Sequence, residues 1–211
     1  KKIGILQDEA IPYVGKIINI DIGLSENQFL KKTKNILSVS GKDISQISLS
    51  LPSKNLSKYK RGRTLLVAGS NKYLGAAHLV MKGALASGVG LVKVLVPKII
   101  AKSLWQVIPE VVVEGYLESS SDGNSLLYES FKKIDLNRFD SIVIGPGIGV
   151  DVPDWEKCLV YLMNFKGVLI LDADGLNRIA LSKEGSKFFL NNKFQTWLTP
   201  HLNEFQRLFP N

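Results

Sequence analysis

Residues 61–97, RGRTLLVAGSNKYLGAAHLVMKGALASGVGLVKVLVP, constrain what this chain can fold into more than any other stretch. The run 64–68 is rich in leucine and β-branched residues, is too short for a helix and is closed by Gly69, which predicts a buried strand. Over 76–87 the small residues Ala76, Ala77, Gly83, Ala84, Ala86 and Ser87 alternate with Leu79, Val80 and Leu85 at helical spacing, so a helix can lie close on a sheet. Gly88 ends that helix, and 91–96 is a second apolar run stopped by Pro97. A strand, a helix and a strand in this order predict a βαβ unit with both strands parallel. The loop GSNKYLG then falls at the carboxyl edge of the sheet, where doubly wound folds hold ligands. It lacks the Gly-Lys-Ser/Thr ending of a Walker loop, and GVGLVK lacks the third glycine of a dinucleotide fingerprint. At this level a tight turn and a close helix contact explain the glycines equally well.

The alternation continues. A helix is expected over 99–107, a strand over 110–117, a helix over 125–133, a strand over 139–144 and a helix over 155–165 with Trp155, Leu159 and Leu162 on one side. The run 167–171 reads as a strand, 183–190 as a helix and 195–198 as a strand, and a last helix carries Glu204, Phe205 and Leu208. This order predicts an α/β fold with a mostly parallel sheet covered by helices on both faces. Loops that follow successive parallel strands share one edge. GSNKYLG, Gly145-Pro-Gly-Ile-Gly149, Asp172-Ala-Asp-Gly-Leu-Asn177 and Thr199-Pro-His201 should therefore converge, as an anion or nucleotide site would require.

Each loop offers candidates. Gly145, Gly147 and Gly149 let backbone N–H groups approach a ligand, with Pro146 stiffening the turn. Asp172 and Asp174 follow a strand directly and can hold a hydroxyl, a ribose or a metal-bound water, or Asp174 can cap the turn that follows. His201, fixed by Pro200, can contact an amide or phosphate or cap a helix, and Glu204 can complete a capping arrangement with Thr199 or His201. His78, inside the small-residue helix, reads as a packing or surface residue, and no third ligand makes a zinc site with His201.

Charge and cysteine narrow the function classes. The 211 residues carry 27 Lys and Arg against 19 Asp and Glu, a net charge of +8. Many basic residues fall in 31–63, a Ser- and Lys-rich connector with no nucleic-acid-binding signature, so a solvated surface is expected rather than a nucleic-acid partner. Such a field still favours anionic small molecules. A single cysteine, Cys158, excludes an internal disulfide and fits a reducing cytoplasm. No apolar run approaches the roughly 20 residues of a membrane helix, so no membrane partner is expected. Upstream, 17–22 reads as a strand without a hairpin partner and 26–37 as one helical stretch within a polar connector over 24–59.

The motifs AGSNKYLGAAHL, GALASGVGLV, IGPGIG, LDADGLN and TPHLNEF, in that order between about Lys60 and Phe209, resemble the ADP- or ATP-dependent NAD(P)H-hydrate dehydratase family. The resemblance implies a ribokinase-like fold and a repair reaction. The hydroxyl of hydrated NADH or NADPH is phosphorylated by ADP or ATP, with Mg2+, and phosphate is then eliminated to restore the dihydropyridine. Carried over, Ala76 and Ala77 line the hydrate pocket, Gly147 and His201 contact the hydrated dinucleotide, and Asp172 supports the site from its strand end. AIPYVGKIINIDIGL resembles the closing strand of the NAD(P)H-hydrate epimerase domain that precedes the dehydratase in bifunctional proteins. The expected organisation is an epimerase tail over 1–23, a linker over 24–59 and the N-terminal portion of a dehydratase domain over 60–211.

The family's lysine-glycine nucleotide loop and its Gly-Ser/Thr-Gly-Asp motif with the catalytic aspartate are expected beyond Asn211, so the C-terminal part of the domain is read as missing. A homo-oligomer is expected when the domain is complete. The nearest rival is a ribokinase-like small-molecule kinase of thiazole or pyrimidine type, and a rival from another class is a truncated, non-catalytic binding protein. The expectation for these 211 residues alone is neither tight ADP binding nor turnover, because half of the phosphoryl-transfer site is absent. Purified free of any host homologue, the polypeptide should leave a hydrated-NADH solution without recovery of reduced-nicotinamide absorbance.

Overall fold

Strand β1 (Arg63–Val67) lies at the centre of a seven-stranded sheet of order β4-β3-β2-β1-β5-β6-β7 in the computed structural model, which describes residues 10–16, 18, 57–150, 152, 154–191 and 194–210. The central place follows from its sequence, because Leu65, Leu66 and Val67 are all 0–1% exposed, as only a strand packed on both faces can be. Helix α1 (Leu74–Ala86) crosses to β2 (Leu91–Pro97), which pairs parallel to β1 from Arg63↔Leu91 to Val67↔Leu95. This is the expected βαβ unit, with its strand, helix and turn where the residues placed them.

Helix α2 (Lys98–Val107) leads to β3 (Val112–Ser119), parallel to β2, and β5 (Ser141–Ile144) returns to the other side of β1. Helix α4 (Trp155–Leu162), β6 (Val168–Leu171), α5 (Asp174–Leu181), β7 (Gln195–Leu198) and α7 (Leu202–Leu208) complete the series, with β5, β6 and β7 all parallel.

Two predicted helices differ from expectation, and helix α5 forms where the sequence predicts only a turn. The predicted helix over 125–133 begins instead as β4 (Ser125–Leu126), antiparallel to β3, followed by a single turn α3 (Tyr128–Phe131). The cause is tertiary. Ser125 N–H donates to the Ile148 carbonyl and Ser125 Oγ to the Gly69 carbonyl, both at 2.8 Å, and this holds the segment extended. The helical turn starts only where the Asp154 carboxylate accepts the amides of Leu127 (2.6 Å) and Tyr128 (2.8 Å), groups a helix start leaves open. The predicted helix over 183–190 is a 3-10 turn, Gly185–Lys187, followed by the short helix α6 (Phe188–Asn191), with Gly185 at φ +52°.

Apolar packing falls on both faces of the sheet. On one face Leu65, Ile142, Ile144, Leu169 and Leu171 meet Leu159 and Leu162 of α4 and Leu176 and Ile179 of α5. On the other, Leu66, Val92, Val94 and Val96 meet Ala77 and Met81 of α1 and Ile100 and Leu104 of α2. On that second face the cross-strand row Val143, Ile170, Trp197 opens toward the sheet edge, where Trp197 is 59% exposed. The residue contacts divide the chain into Lys1–Leu51 and Pro52–Asn211. Within the first unit Ile11–Tyr13 forms a 3-10 turn, and the strand expected over 17–22 and the helical stretch expected over 26–37 fall, Ile18 apart, outside the described residues.

The start of β1 is tied to the start of β5 by one carboxylate. Asp140 accepts the Arg63 amide at 2.8 Å and its guanidinium at 3.2 and 3.1 Å, and these bonds hold the Asp140 carboxyl below the usual carboxylate range. A folded pKa lowered in this way gives stability that is complete above the unfolded value of about 3.9 and lost as pH falls through the lower folded value. Urea unfolding of wild type and Asp140→Asn should therefore show a small difference at neutral pH that closes in acid; a difference that persists below the folded pKa would contradict this assignment.

Candidate functional site

The four loops at the carboxyl ends of β1, β5, β6 and β7 are joined by backbone and side-chain bonds. Gly69 N–H donates to the Pro146 carbonyl (2.8 Å), which ties GSNKYLG to GPGIG. Gly145 N–H donates to the Val67 carbonyl, Asp172 N–H to the Ile144 carbonyl and Thr199 N–H to the Leu171 carbonyl, each at 3.2 Å. Thr199 Oγ1 also donates to Asp172 Oδ1 at 2.8 Å, so the third and fourth loops share a side-chain contact.

The close approaches need glycine, at Gly145 and Gly147 among other places. A Cβ on Gly145 would lie 1.7 Å from the Asp172 carbonyl oxygen, and one on Gly147 would lie 2.6 Å from Ala76 Cβ and 2.8 Å from Tyr73 Cβ. Both residues also have positive φ, +140° and +70°. The glycines of GPGIG are thus required by loop-to-loop packing as well as by the turn.

The loop leaves one donor free. Gly145 N–H is taken by Val67, Ile148 N–H by the Gly145 carbonyl (3.2 Å) and Gly149 N–H by Asp174 Oδ2 (2.8 Å), and Pro146 has none. The half-exposed Gly147 N–H has no protein partner among the described residues. A free backbone donor beside a bare Cα can receive an anionic or carbonyl oxygen of a ligand.

The sequence-predicted residues fall as follows. Ala76 is half-buried and faces Gly147, whereas Ala77 is 0% exposed and packs in the core under α1. Asp172 is held by Thr199. His201 is exposed and caps α7: its Nδ1 accepts Asn203 N–H (3.2 Å), while its own N–H donates to Glu204 Oε2 (3.0 Å) and its Nε2 lies 3.2 Å from Glu204 Oε1. An accepting Nδ1 requires the proton on Nε2, so the cap orients the ring without needing a charge. Asp174 does not cap α5, since it is the first helical residue and its carboxylate holds Gly149. The cap position belongs to Ala173, at φ +48° and ψ −118°, a conformation that L-residues adopt only under strain.

Arg178 carries no motif and was not singled out by sequence. It is 2% exposed, with Nε donating to the Gly149 carbonyl (2.6 Å) and Nη2 to Ser125 (2.7 Å) and Ile148 (2.9 Å). Burial pulls its pKa down to about 10, opposed chiefly by the Asp154 charge, so it remains a cation at neutral pH. The one signal available was its place four residues after Asp174, on the same face of α5. Asn124, read as loop, also supports the site by donating from Nδ2 to the Val150 carbonyl (2.7 Å). A cavity of about 400 Å³ between α5 and α7, lined by Asp174, Asn177, Gln206 and Arg207, includes none of Ala76, Gly147 and His201. The joined loops, rather than this cavity, form the candidate site.

A sequence profile of the NAD(P)H-hydrate dehydratase family matches residues 64–211, all five motifs included. The chain belongs to this family. The bifunctional NAD(P)H-hydrate repair enzyme Nnr of Synechocystis is 38% identical over 208 residues, covering 97% of this chain and 38% of that protein. The chain spans about two fifths of the length of the curated relatives it matches first. Two solved structures share the fold, each at TM-score 0.57 and 24% identity over 74% of this chain and 50% of theirs. One is a ribokinase-like superfamily protein of Enterococcus faecalis, the other an ADP/ATP-dependent NAD(P)H-hydrate dehydratase of Bacillus subtilis co-crystallised with ATP/Mg2+. The fold is thus ribokinase-like, as the motif order implied.

Two substitutions test this geometry. Gly147→Ala should cost about 2 kcal/mol in urea unfolding, from positive φ and from overpacking against Ala76 and Tyr73. Ala173→Gly should raise stability by about 1 kcal/mol by relieving its backbone. No gain would mean that the alanine conformation is not strained.

Proposed function

We propose that this protein acts in the nucleotide-dependent dehydration of hydrated NADH or NADPH back to NADH or NADPH. The observation that carries the reading is the free Gly147 N–H beside Ala76, within loops that also hold the Asp172–Thr199 pair, in a chain of this family. Gly147 would donate to an oxygen of the hydrated dinucleotide, with Ala76 as the adjoining wall and Ala77 supporting it from beneath. Gly145 allows the approach of the Asp172 strand end, and Asp172 and His201 would complete the hydrate contacts.

In the reaction the ring hydroxyl gives up its proton to a base and its oxygen takes a phosphoryl group from ADP or ATP as the bond to the nucleotide's leaving oxygen breaks. Phosphate then departs with the C–O electron pair and the ring loses a proton, which restores the double bond. A catalytic aspartate for this step is expected outside these 211 residues. Among the described residues no group of three His, Cys, Asp or Glu side chains is placed to hold a metal. Mg2+ usually takes one or two protein carboxylates and completes its shell with phosphates and water, so an ion brought with the nucleotide would not need such a group. Bound so, it would neutralise phosphate charge.

The domain reading is part of the proposal: an epimerase tail over 1–23, a linker over 24–59 and the first portion of the dehydratase domain over 60–211, in a bifunctional cytoplasmic protein that is homo-oligomeric when complete. Among the described residues no helix is long and apolar enough to cross a membrane.

The full gene product should restore reduced-nicotinamide absorbance from hydrated NADH or NADPH in the presence of ADP or ATP. Consumption of nucleotide without that recovery, on a panel including thiazole and pyrimidine alcohols, would assign a kinase instead. The His201→Asn variant retains a good N-cap residue, so its stability should stay within about 0.5 kcal/mol of wild type while the KM for the hydrate rises about tenfold, the loss of one hydrogen bond to ligand. An unchanged KM would confine His201 to capping.

A further inference from the structure

Among the described residues three buried side-chain atoms lack a hydrogen-bond partner: Asp154 Oδ1, Trp155 Nε1 and Arg178 Nη1. They belong to one cluster. Asp154 and Trp155 are adjacent at the start of α4, and the Arg178 guanidinium lies over the Trp155 ring at 5.5 Å from its centroid. The Asp154 and Arg178 charges both act on the thiol of Cys158, one turn into α4, and on each other's surroundings without a direct bond. The rest of each side chain is already committed, Arg178 to three carbonyls and Asp154 Oδ2 to the Leu127 and Tyr128 amides.

What remains is a set of two donors and one acceptor, sealed from solvent by residues 2% (Arg178) and 4% (Trp155) exposed. Leaving such atoms unpaired in the interior is costly. An anion would be drawn to the guanidinium but would face the Asp154 carboxylate, and a cation would face the reverse. Water has two lone pairs and two hydrogens, and buried waters characteristically make about three bonds to otherwise unsatisfied groups.

We propose that Asp154, Trp155 and Arg178 enclose a binding site for one internal water molecule, which accepts from Arg178 Nη1–H and Trp155 Nε1–H and donates to Asp154 Oδ1. The water links two side chains, Arg178 and Asp154, that share no direct bond among the described residues. On one side Arg178 holds the Ile148 and Gly149 carbonyls at the end of GPGIG; on the other Asp154 holds the amides that start α3. A solvent-separated ion pair thus joins the candidate site's loop to the β4–α3 junction. The inference stands on the buried cluster and does not depend on the proposed reaction.

Two measurements on the full gene product test it. A crystal structure should show one solvent peak within about 2.7–3.2 Å of all three atoms. A direct Arg178–Asp154 pair, a dry void, or an anomalous peak there after a bromide soak would overturn the proposal. In solution, Trp155 is the buried tryptophan, since Trp105 and Trp197 are 70% and 59% exposed. Its indole N–H, assigned by triple-resonance NMR and checked by loss of the signal in Trp155→Phe, should show a water cross-peak of the sign expected for a long-lived bound molecule. Absence of that cross-peak would equally sink it.

Discussion

The site depends on one backbone contact, the packing of Gly145 against the carbonyl of Asp172. Parallel strands β5 and β6 hold their ends side by side, and the chain can turn away from both only if one of the two loops offers no side chain. With a Cβ 1.7 Å from that carbonyl oxygen, the loops would have to separate. Separation would remove the Asp172 amide from Ile144 and displace the carboxylate that Thr199 binds. The same arrangement recurs between GPGIG and the first loop, where Gly147 meets Ala76 and Tyr73. Bare backbone at each junction therefore does two things: it lets four loops close over one edge of the sheet, and it leaves the half-exposed Gly147 amide without a protein partner among the described residues.

Much of this was legible in the residues. The runs at 64–68 and 91–96 and the small-residue helix between them imposed a parallel unit, and parallel order then dictated that the polar loops share an edge. What was not legible depended on contacts between distant segments. Residues 125–133 have helical character, yet Ser125 is held by Gly69 and Ile148, which lie 56 and 23 positions away in sequence but adjacent at the sheet edge. Ala77 is shown by its neighbours to be inside and Ala76 to be the open member of the pair, a distinction no composition rule makes. For His201 the capping alternative is realised in the geometry, and it leaves the imidazole exposed and oriented.

Arg178 illustrates a harder case. A charged residue in a helix reads from sequence as solvent-facing, because burying a guanidinium without partners is prohibitive. Here the partners are carbonyls rather than a carboxylate. The turn of GPGIG presents the Ile148 and Gly149 carbonyls to Arg178, the first shared with the Ser125 amide, and β4 adds the carbonyl of Ser125. One planar cation with several donors in a fixed fork satisfies all three, a geometry open to arginine and closed to lysine. The glycine loop and the buried arginine are therefore a single solution: Arg178 donates to the loop's carbonyls, while the Gly147 amide keeps no protein partner among the described residues.

The two aspartates of the third loop complete the logic. In an extended strand Asp172 and Asp174 would project to the same face and repel each other. The unusual backbone of Ala173 separates them, so that Asp172 turns to Thr199 and the fourth loop while Asp174, now the first residue of α5, turns to the Gly149 amide of the second. Strain confined to one residue thus lets one short loop bind both of its neighbours. Asp174 and Arg178, four residues apart on α5, then grip the N–H and C=O of the same glycine. With both backbone groups of Gly149 fixed from one helix, the orientation of the peptide ahead of it, and with it the free Gly147 amide, is set by the sheet and α5 before any ligand arrives.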